Sequence, residues 1–195
     1  METNQLGLFQ PHKTLPTGFV YQRDVISSAE ERSLVSFMET LPFKEFEFRG
    51  YQGKRRVVSF GWRYDFNKAK LDRVEDIPAP LLSLRETAAG LAAMEPEKFQ
   101  QILLTEYGPG AAIGWHKDRP MFGEVLGISL LASCTFRLRR VKGDGWERAS
   151  IQAEPRSGYL LSGPARSEWE HSIPPVDALR YSVTFRNFKA GKSPR

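Results

Sequence analysis

The sequence predicts a mostly β domain with flanking α structure: an antiparallel sandwich or jelly roll, with two N-terminal helices packed on the outside of one sheet. Three observations predict it. From Phe99 onward the chain divides into eight short apolar or alternating runs with no helical segment between them, which argues against a parallel sheet with crossover helices. Glycine and proline clusters at Gly108-Pro109-Gly110, Gly143-Asp144-Gly145 and Ile173-Pro174-Pro175 separate several of these runs as turns. Upstream, two segments carry apolar residues at helical spacing. With 195 residues, one hydrophobic core is the working expectation.

Taken in order, residues 1–18 are polar, contain Pro11, Pro16 and Gly18, and show no hydrophobic period, so they read as an N-terminal arm with His12 solvated. Ser28-Ala29-Glu30-Glu31 has the form of a capping box, and Leu34, Val35, Met38 and Leu41 then place an apolar stripe on a helix that Pro42 stops. Residues 43–66 are rich in aromatics and glycine, with strands expected near 45–49 and 56–64. Pro78-Ala79-Pro80 opens a second helix, with Leu81, Leu84, Ala88 and Leu91 on one stripe, fading by Pro96. The eight strands are then expected at 99–107, 113–118, 125–133, 135–141, 147–152, 158–161, 168–172 and 180–188. Residues 189–195 form a basic tail, leaving 19–188 as a single domain.

Composition removes several function classes. No run approaches the ~20 apolar residues of a membrane helix, and the polar start Met1-Glu2-Thr3-Asn4 lacks the apolar stretch of a signal peptide, so a soluble cytoplasmic monomer is expected. One cysteine, Cys134, excludes an internal disulfide and any structural zinc site needing two thiolates; in its apolar strand it reads as an inert core thiol. Only three histidines are present, so a metal bound here must recruit carboxylates. The net charge of +5 makes a polyanionic partner plausible.

The first chemical candidate is His116-Lys117-Asp118. On a strand, residues two apart share a face, so an imidazole and a carboxylate can grip adjacent positions on one metal, although a surface strand pair has the same pattern. A later His171 completes two histidines and one carboxylate, the donor set of non-haem Fe(II) oxygenases. The second candidate, residues 180–186, alternates strictly: Arg180, Ser182, Thr184 and Arg186 share one face, Tyr181, Val183 and Phe185 the other. A solvated edge strand would alternate too, but two arginines bracketing hydroxyls form a row of donors suited to a dicarboxylate. Thr105 and Tyr107 add a hydroxyl and a phenol on one face just before the Gly108-Pro109-Gly110 turn.

In this order, Leu104-Thr105-Glu106-Tyr107, Pro109-Gly110, His116-x-Asp118, His171 and Arg180-Tyr181-x-x-Thr184-Phe185-Arg186 resemble the AlkB family of Fe(II)- and 2-oxoglutarate-dependent dioxygenases, over residues 56 to 188. The resemblance implies a double-stranded β-helix, a jelly-roll variant, with Fe(II) as cofactor and 2-oxoglutarate and O2 as co-substrates. It implies that His116, Asp118 and His171 ligate iron and that Arg180, helped by Tyr107, pairs with the distal carboxylate of 2-oxoglutarate. Arg186 would then lie near the chelating end, with Thr105, Ser182 and Ser129 as further polar contacts.

The implied activity is hydroxylation of an alkyl C–H bond, above all dealkylation of N-alkylated bases in DNA or RNA with release of succinate, CO2 and an aldehyde. Residues 54–64, Lys54-Arg55-Arg56-Val57-Val58-Ser59-Phe60-Gly61-Trp62-Arg63-Tyr64, resemble the family's nucleotide-recognition lid. Arg56, Phe60, Trp62 and Tyr64, together with Trp115 beside the first ligand, are the expected substrate contacts, and packing of the aromatics over the barrel rim is the alternative. Two positions depart from the family pattern: Thr105 stands where Asn is common, and Pro120 where many dealkylating members carry an acidic base-recognition residue. The second departure keeps open the same iron chemistry on tRNA, protein or a small molecule, or a non-catalytic nucleic-acid-binding protein. Arg137, Arg139, Arg140 and Lys142 form a further basic hairpin, either a solvated face or a phosphate-tracking one.

Overall fold

A computed structural model describes residues 15–48 and 51–191; His12 and most of the expected N-terminal arm, and residues 192–195 of the expected tail, lie outside them. The chain runs β1 (Phe19–Gln22), α1 (Ser28–Glu39), β2 (Lys44–Phe48), β3 (Tyr51–Phe60), β4 (Trp62–Asp65) and β5 (Lys70–Arg73). A 3-10 turn then leads into α2 (Leu82–Leu91), followed by β6 (Phe99–Tyr107), β7 (Ile113–His116), β8 (Phe122–Leu130) and β9 (Cys134–Lys142). It closes with β10 (Gly145–Ala153), β11 (Gly158–Leu161), the short α3 (Gly163–Ser167), β12 (Glu170–Ile173) and β13 (Arg180–Phe188).

Seven strands form one antiparallel sheet in the order β1-β11-β8-β13-β6-β3-β2, four form a second in the order β10-β9-β12-β7, and β4 and β5 make a separate hairpin. Two cores result. One lies between the larger sheet and the helices, where Leu34, Met38, Leu84 and Ala88 meet Ile102, Leu104, Ile128, Val183 and Phe185. The other lies between the two sheets, where Val125, Tyr159 and Leu161 meet Phe136, Leu138 and Ile173. This is the jelly roll expected, with the helices on one sheet.

The eight expected strands are all present, from β6 to β13, because period-2 patterning with turn residues between is what an antiparallel sandwich demands. Ser27, one residue before the expected cap, closes the capping box of α1: its Oγ accepts from Glu30 N at 3.2 Å and its own N–H donates to Glu30 Oε2 at 2.7 Å. The strand expected over 56–64 is interrupted at Gly61, whose φ of +74° is left-handed and where a Cβ would lie 2.1 Å from the Gln100 carbonyl oxygen. The strand expected over 113–118 ends at His116, so Asp118 sits on the loop to β8.

β13 lies at the centre of the larger sheet between β6 and β8. Its alternation sorts as expected: Tyr181, Val183 and Phe185 enter the helix-side core, while Ser182, Thr184 and Arg186 line a cavity between the sheets. Among the described residues, no helix is long and apolar enough to cross a membrane.

Candidate active site

The cavity gathers side chains from both sheets. The larger sheet contributes Leu103, Thr105 and Tyr107 from β6, Val125 from β8, Tyr159 and Leu161 from β11, and Ser182, Thr184 and Arg186 from β13. The smaller sheet contributes Ile113, His116, Phe136, His171 and Ile173. Tyr159 reaches the cavity across Gly127, where a Cβ would stand only 2.3 Å from its ring.

His116, Asp118 and His171 converge at one end, with one donor atom of each within 4.8 Å of the others. The two histidines are direct cross-strand partners of β7 and β12, their rings 4.2 Å apart. His116 Nδ1 lies 2.9 Å from the Gly114 carbonyl oxygen, which places the proton on Nδ1 and leaves Nε2 its lone pair. Burial lowers the pKa of His116, and burial followed by the neighbouring His116 lowers that of His171 to about 3, so both imidazoles are neutral near pH 7.

Asp118 is held in the opposite sense. Burial alone would raise its pKa, but the charge of Arg186, reinforced by the two histidines and Arg166, holds the carboxyl well below the usual carboxylate range. Arg186 donates to Asp118 Oδ1 through Nε at 2.8 Å and to Gln101 Oε1 through Nη1 at 2.8 Å. Asp118 Oδ2 is buried without a hydrogen-bond partner among the described residues, 3.5 Å from His171 Nε2. A buried, ionised, unpaired oxygen beside two neutral imidazoles fits a divalent cation, and two nitrogens with one carboxylate is the donor set of non-haem iron. Arg166 fixes the loop that carries this carboxylate, its Nη2 donating to the carbonyls of Asp118, Arg119 and Phe122.

A second polar cluster occupies the cavity-facing side of β13. Arg180 is 0% exposed. It donates through Nη2 to Ser129 Oγ at 2.7 Å and lies over the Tyr107 ring at 5.0 Å, yet its Nε and Nη1 have no hydrogen-bond partner among the described residues. Unpartnered donors on a buried planar cation call for an anion, and a carboxylate of 2-oxoglutarate fits. The register aligns Ser182 with Thr105 and with Ser129, so three hydroxyls lie abreast next to this arginine.

The residues expected to face a substrate are divided by the structure. Tyr64 stands by the metal-ligand loop, with the Arg119 guanidinium 4.2 Å from its ring centroid. Trp62 packs edge-on against Phe188 at 6.1 Å, on the rim. Phe60 is 3% exposed and belongs to the helix-side core, because the left-handed turn at Gly61 takes it out of phase with Trp62 and Tyr64. Arg56 pairs across the strands with Glu106, on the side of β6 opposite Thr105 and Tyr107, through hydrogen bonds of 2.7 and 2.8 Å. Trp115 alternates with His116 and therefore faces away from the cavity, under Arg137 and Arg139.

Three arginines not singled out in the sequence belong to the site. Arg55, one residue from Arg56, lines the cavity and lies 3.8 Å over the Phe46 ring. Arg119 bridges Tyr64 and Phe66, its Nε buried without a hydrogen-bond partner among the described residues. Arg166 holds the loop. Only the position of Arg119, next to Asp118, was a usable signal; the others depend on strand register and on a long-range contact.

Comparison with known proteins agrees with this geometry. A family model described as the 2OG-Fe(II) oxygenase superfamily matches residues 21–186. The chain is 24% identical over 182 residues to the mouse (Mus musculus) tRNA (carboxymethyluridine(34)-5-O)-methyltransferase ALKBH8, covering 89% of this chain and 27% of that protein. It is 26% identical over 195 residues to the Alkylated DNA repair protein ALKBH8 homolog of Arabidopsis thaliana, covering 84% of this chain and 53% of that one. The chain thus spans between about a quarter and a half of these curated relatives. A solved structure, "The structure of OsALKBH1", superposes with a TM-score of 0.70 at 14% identity, covering 89% of this chain and all of that one, which establishes a shared fold. The chain belongs to the 2OG-Fe(II) oxygenase superfamily, as an AlkB-type dioxygenase that uses Fe(II), 2-oxoglutarate and O2.

Proposed function

We propose that residues 19–188 form one catalytic unit that oxidises an alkyl C–H bond on a nucleic-acid base, releasing succinate, CO2 and, from an N-alkyl group, an aldehyde. The observation that carries the site assignment is the pair of orphaned buried groups: Asp118 Oδ2 among neutral histidines, and Arg180 Nε and Nη1 on the cavity-facing side of β13. His116, Asp118 and His171 would hold Fe(II), which supplies the oxidising power when bound with its co-substrates. Arg180 would take the distal carboxylate of 2-oxoglutarate, supported by Ser129 and Tyr107, with Thr105 and Ser182 beside it. Arg186 keeps Asp118 ionised and aimed. Tyr64 and Arg119 offer a stacking face and a cation beside the ligand loop, where the target base would enter.

A nucleic-acid partner is supported by the +5 net charge and by the names of the relatives, one a tRNA enzyme and one an alkylated-DNA repair protein. The likeness to the tRNA enzyme and Pro120 together favour a second reading, tRNA as substrate, with the methyl-transfer activity of that much longer protein left aside. The test is iron-dependent succinate formation from 2-oxoglutarate with methylated single-stranded DNA, methylated RNA, tRNA and peptide substrates side by side. Turnover should appear with a nucleic acid and vanish in His116→Ala and Asp118→Ala. Activity retained in either variant would refute the ligand assignment, and turnover only with a peptide would refute the substrate class.

A further inference from the structure

The outer face of the four-stranded sheet carries a feature the catalytic reading leaves unused. Trp115 on β7 lies beneath Arg137 at 5.1 Å and Arg139 at 4.4 Å, and Arg139 also stands 4.1 Å over the Trp146 ring on β10. The result is a continuous tryptophan–arginine–tryptophan stack across the sheet. Arg148 is the direct cross-strand partner of Arg139, and Arg137 lies two residues along the same face of β9.

Three arginines side by side are unfavourable on a sheet, where like charges directly opposite one another destabilise the pair. One carboxylate answers them: Glu170 pairs with Arg139 at 2.7 Å. Arg137 donates to the Ser172 hydroxyl at 3.0 Å and, like Arg148, makes no ion pair among the described residues. An ordinary solvated face would interleave both signs, as the neighbouring pair on the opposite face of this hairpin does, where Arg140 meets Glu147 and Glu168. Trp146 is 41% exposed despite its size. The face starts one residue from His116, on the edge strand, and its four strands are spaced over roughly 14 Å.

We propose that this face is a docking surface for single-stranded nucleic acid, with a base stacked on Trp146 and phosphates taken by Arg137 and Arg148. Unpaired guanidinium groups beside an exposed indole are what a phosphate backbone with accessible bases requires, whereas an acidic protein surface would make no use of the stacking platform. The proposal rests on the nucleic-acid reading above and adds where the strand runs outside the catalytic cavity.

The experiment is fluorescence anisotropy of a labelled oligo-uridylate of about 15 nucleotides against the full chain over a salt series. Trp146→Ala should weaken binding by about 5- to 150-fold at unchanged salt slope, the loss of one base stack. Arg148→Gln should lower the log–log salt slope by about 0.7, one phosphate contact on a single strand. Both side chains are exposed, so both variants should melt as wild type and keep substrate-independent 2-oxoglutarate turnover. His116→Ala separates the two claims: it should abolish turnover and bind the oligonucleotide as wild type does. Wild-type affinity in both surface variants, or no salt-dependent binding by the wild type, would overturn the proposal. Equal losses for poly-glutamate and oligo-uridylate in Trp146→Ala would also overturn it, in favour of an acidic protein partner.

Discussion

Replacing Arg180 by methionine separates a residue kept for stability from one kept for a ligand. The side chain is fully buried, makes one hydrogen bond, to Ser129, and leaves Nε and Nη1 without partners among the described residues. A buried charge satisfied so poorly contributes little to the folded state, and an apolar side chain of similar length is neutral or favourable there. The melting temperature of the ligand-free protein should therefore stay the same or rise.

Binding of 2-oxoglutarate should suffer heavily. Two charge-assisted hydrogen bonds at about 1.5–3 kcal/mol each amount to about 3–6 kcal/mol, or a rise of roughly 10²- to 10⁴-fold in the KM for 2-oxoglutarate. The direct assay is thermal melting with a redox-inert divalent metal, with and without 2-oxoglutarate. At a hundred times Kd the wild type should gain about 2.7 kcal/mol, a shift of roughly 5–11 °C for a domain of this size, and Arg180→Met should gain almost nothing. Arg180→Lys, which keeps the charge and loses the planar fork, should fall between them. A variant that melts far lower than wild type without ligand, and still responds fully to 2-oxoglutarate, would refute the assignment of Arg180 to the co-substrate.

Three further outcomes follow from the same geometry. His171, with a folded pKa of about 3 against 6.5 unfolded, binds fewer protons when folded; its contribution to stability is full above pH 6.5 and disappears as pH falls from there toward 3. Urea midpoints of metal-free protein should drop over that window more steeply in wild type than in His171→Gln, and parallel profiles would contradict this. Arg166→Met, which releases three carbonyls of the ligand loop, should cost about 2–4 kcal/mol and weaken Fe(II) binding, read by calorimetry and metal titration; unchanged metal affinity would show that the loop holds its shape without the arginine. Gly61→Ala should destabilise by about 2–3 kcal/mol because the methyl meets the Gln100 carbonyl and the left-handed backbone is strained, and a melting temperature equal to wild type would disprove the constraint.

What could be read from the sequence follows the range of the interactions involved. β13 was legible because strict alternation assigns each residue of 180–186 to a face with no knowledge of its neighbours, and both faces go where alternation sends them. The metal group was legible through residue type, although Asp118 reaches the site from a loop rather than from the strand face that the spacing suggested. β1, β5 and α3 left no usable signal: each is four or five residues long, and β1 exists only through its pairing with β11, some 140 residues away. The choice between Arg55 and Arg56 failed for a related reason. A basic pair on a strand puts one member on each face, and which one meets the cavity is decided by the register with β6. Gly61 was visible, but that it breaks phase between Phe60 and Trp62 becomes apparent only when Gln100 is seen pressed against it.

The direct pairing of His116 with His171 has a consequence for metal choice. Two of the three donors are spaced by a hydrogen-bonded ladder before any ion arrives, and Arg186 restrains the third. Pre-set spacing favours binding as such, while two imidazoles and one carboxylate are donors that every first-row divalent ion accepts, so intrinsic affinity rises from manganese through iron and cobalt to nickel and copper. Iron occupancy accordingly depends on which ion the surroundings supply in excess, and nickel or cobalt should displace Fe(II) and silence the enzyme without disturbing its fold.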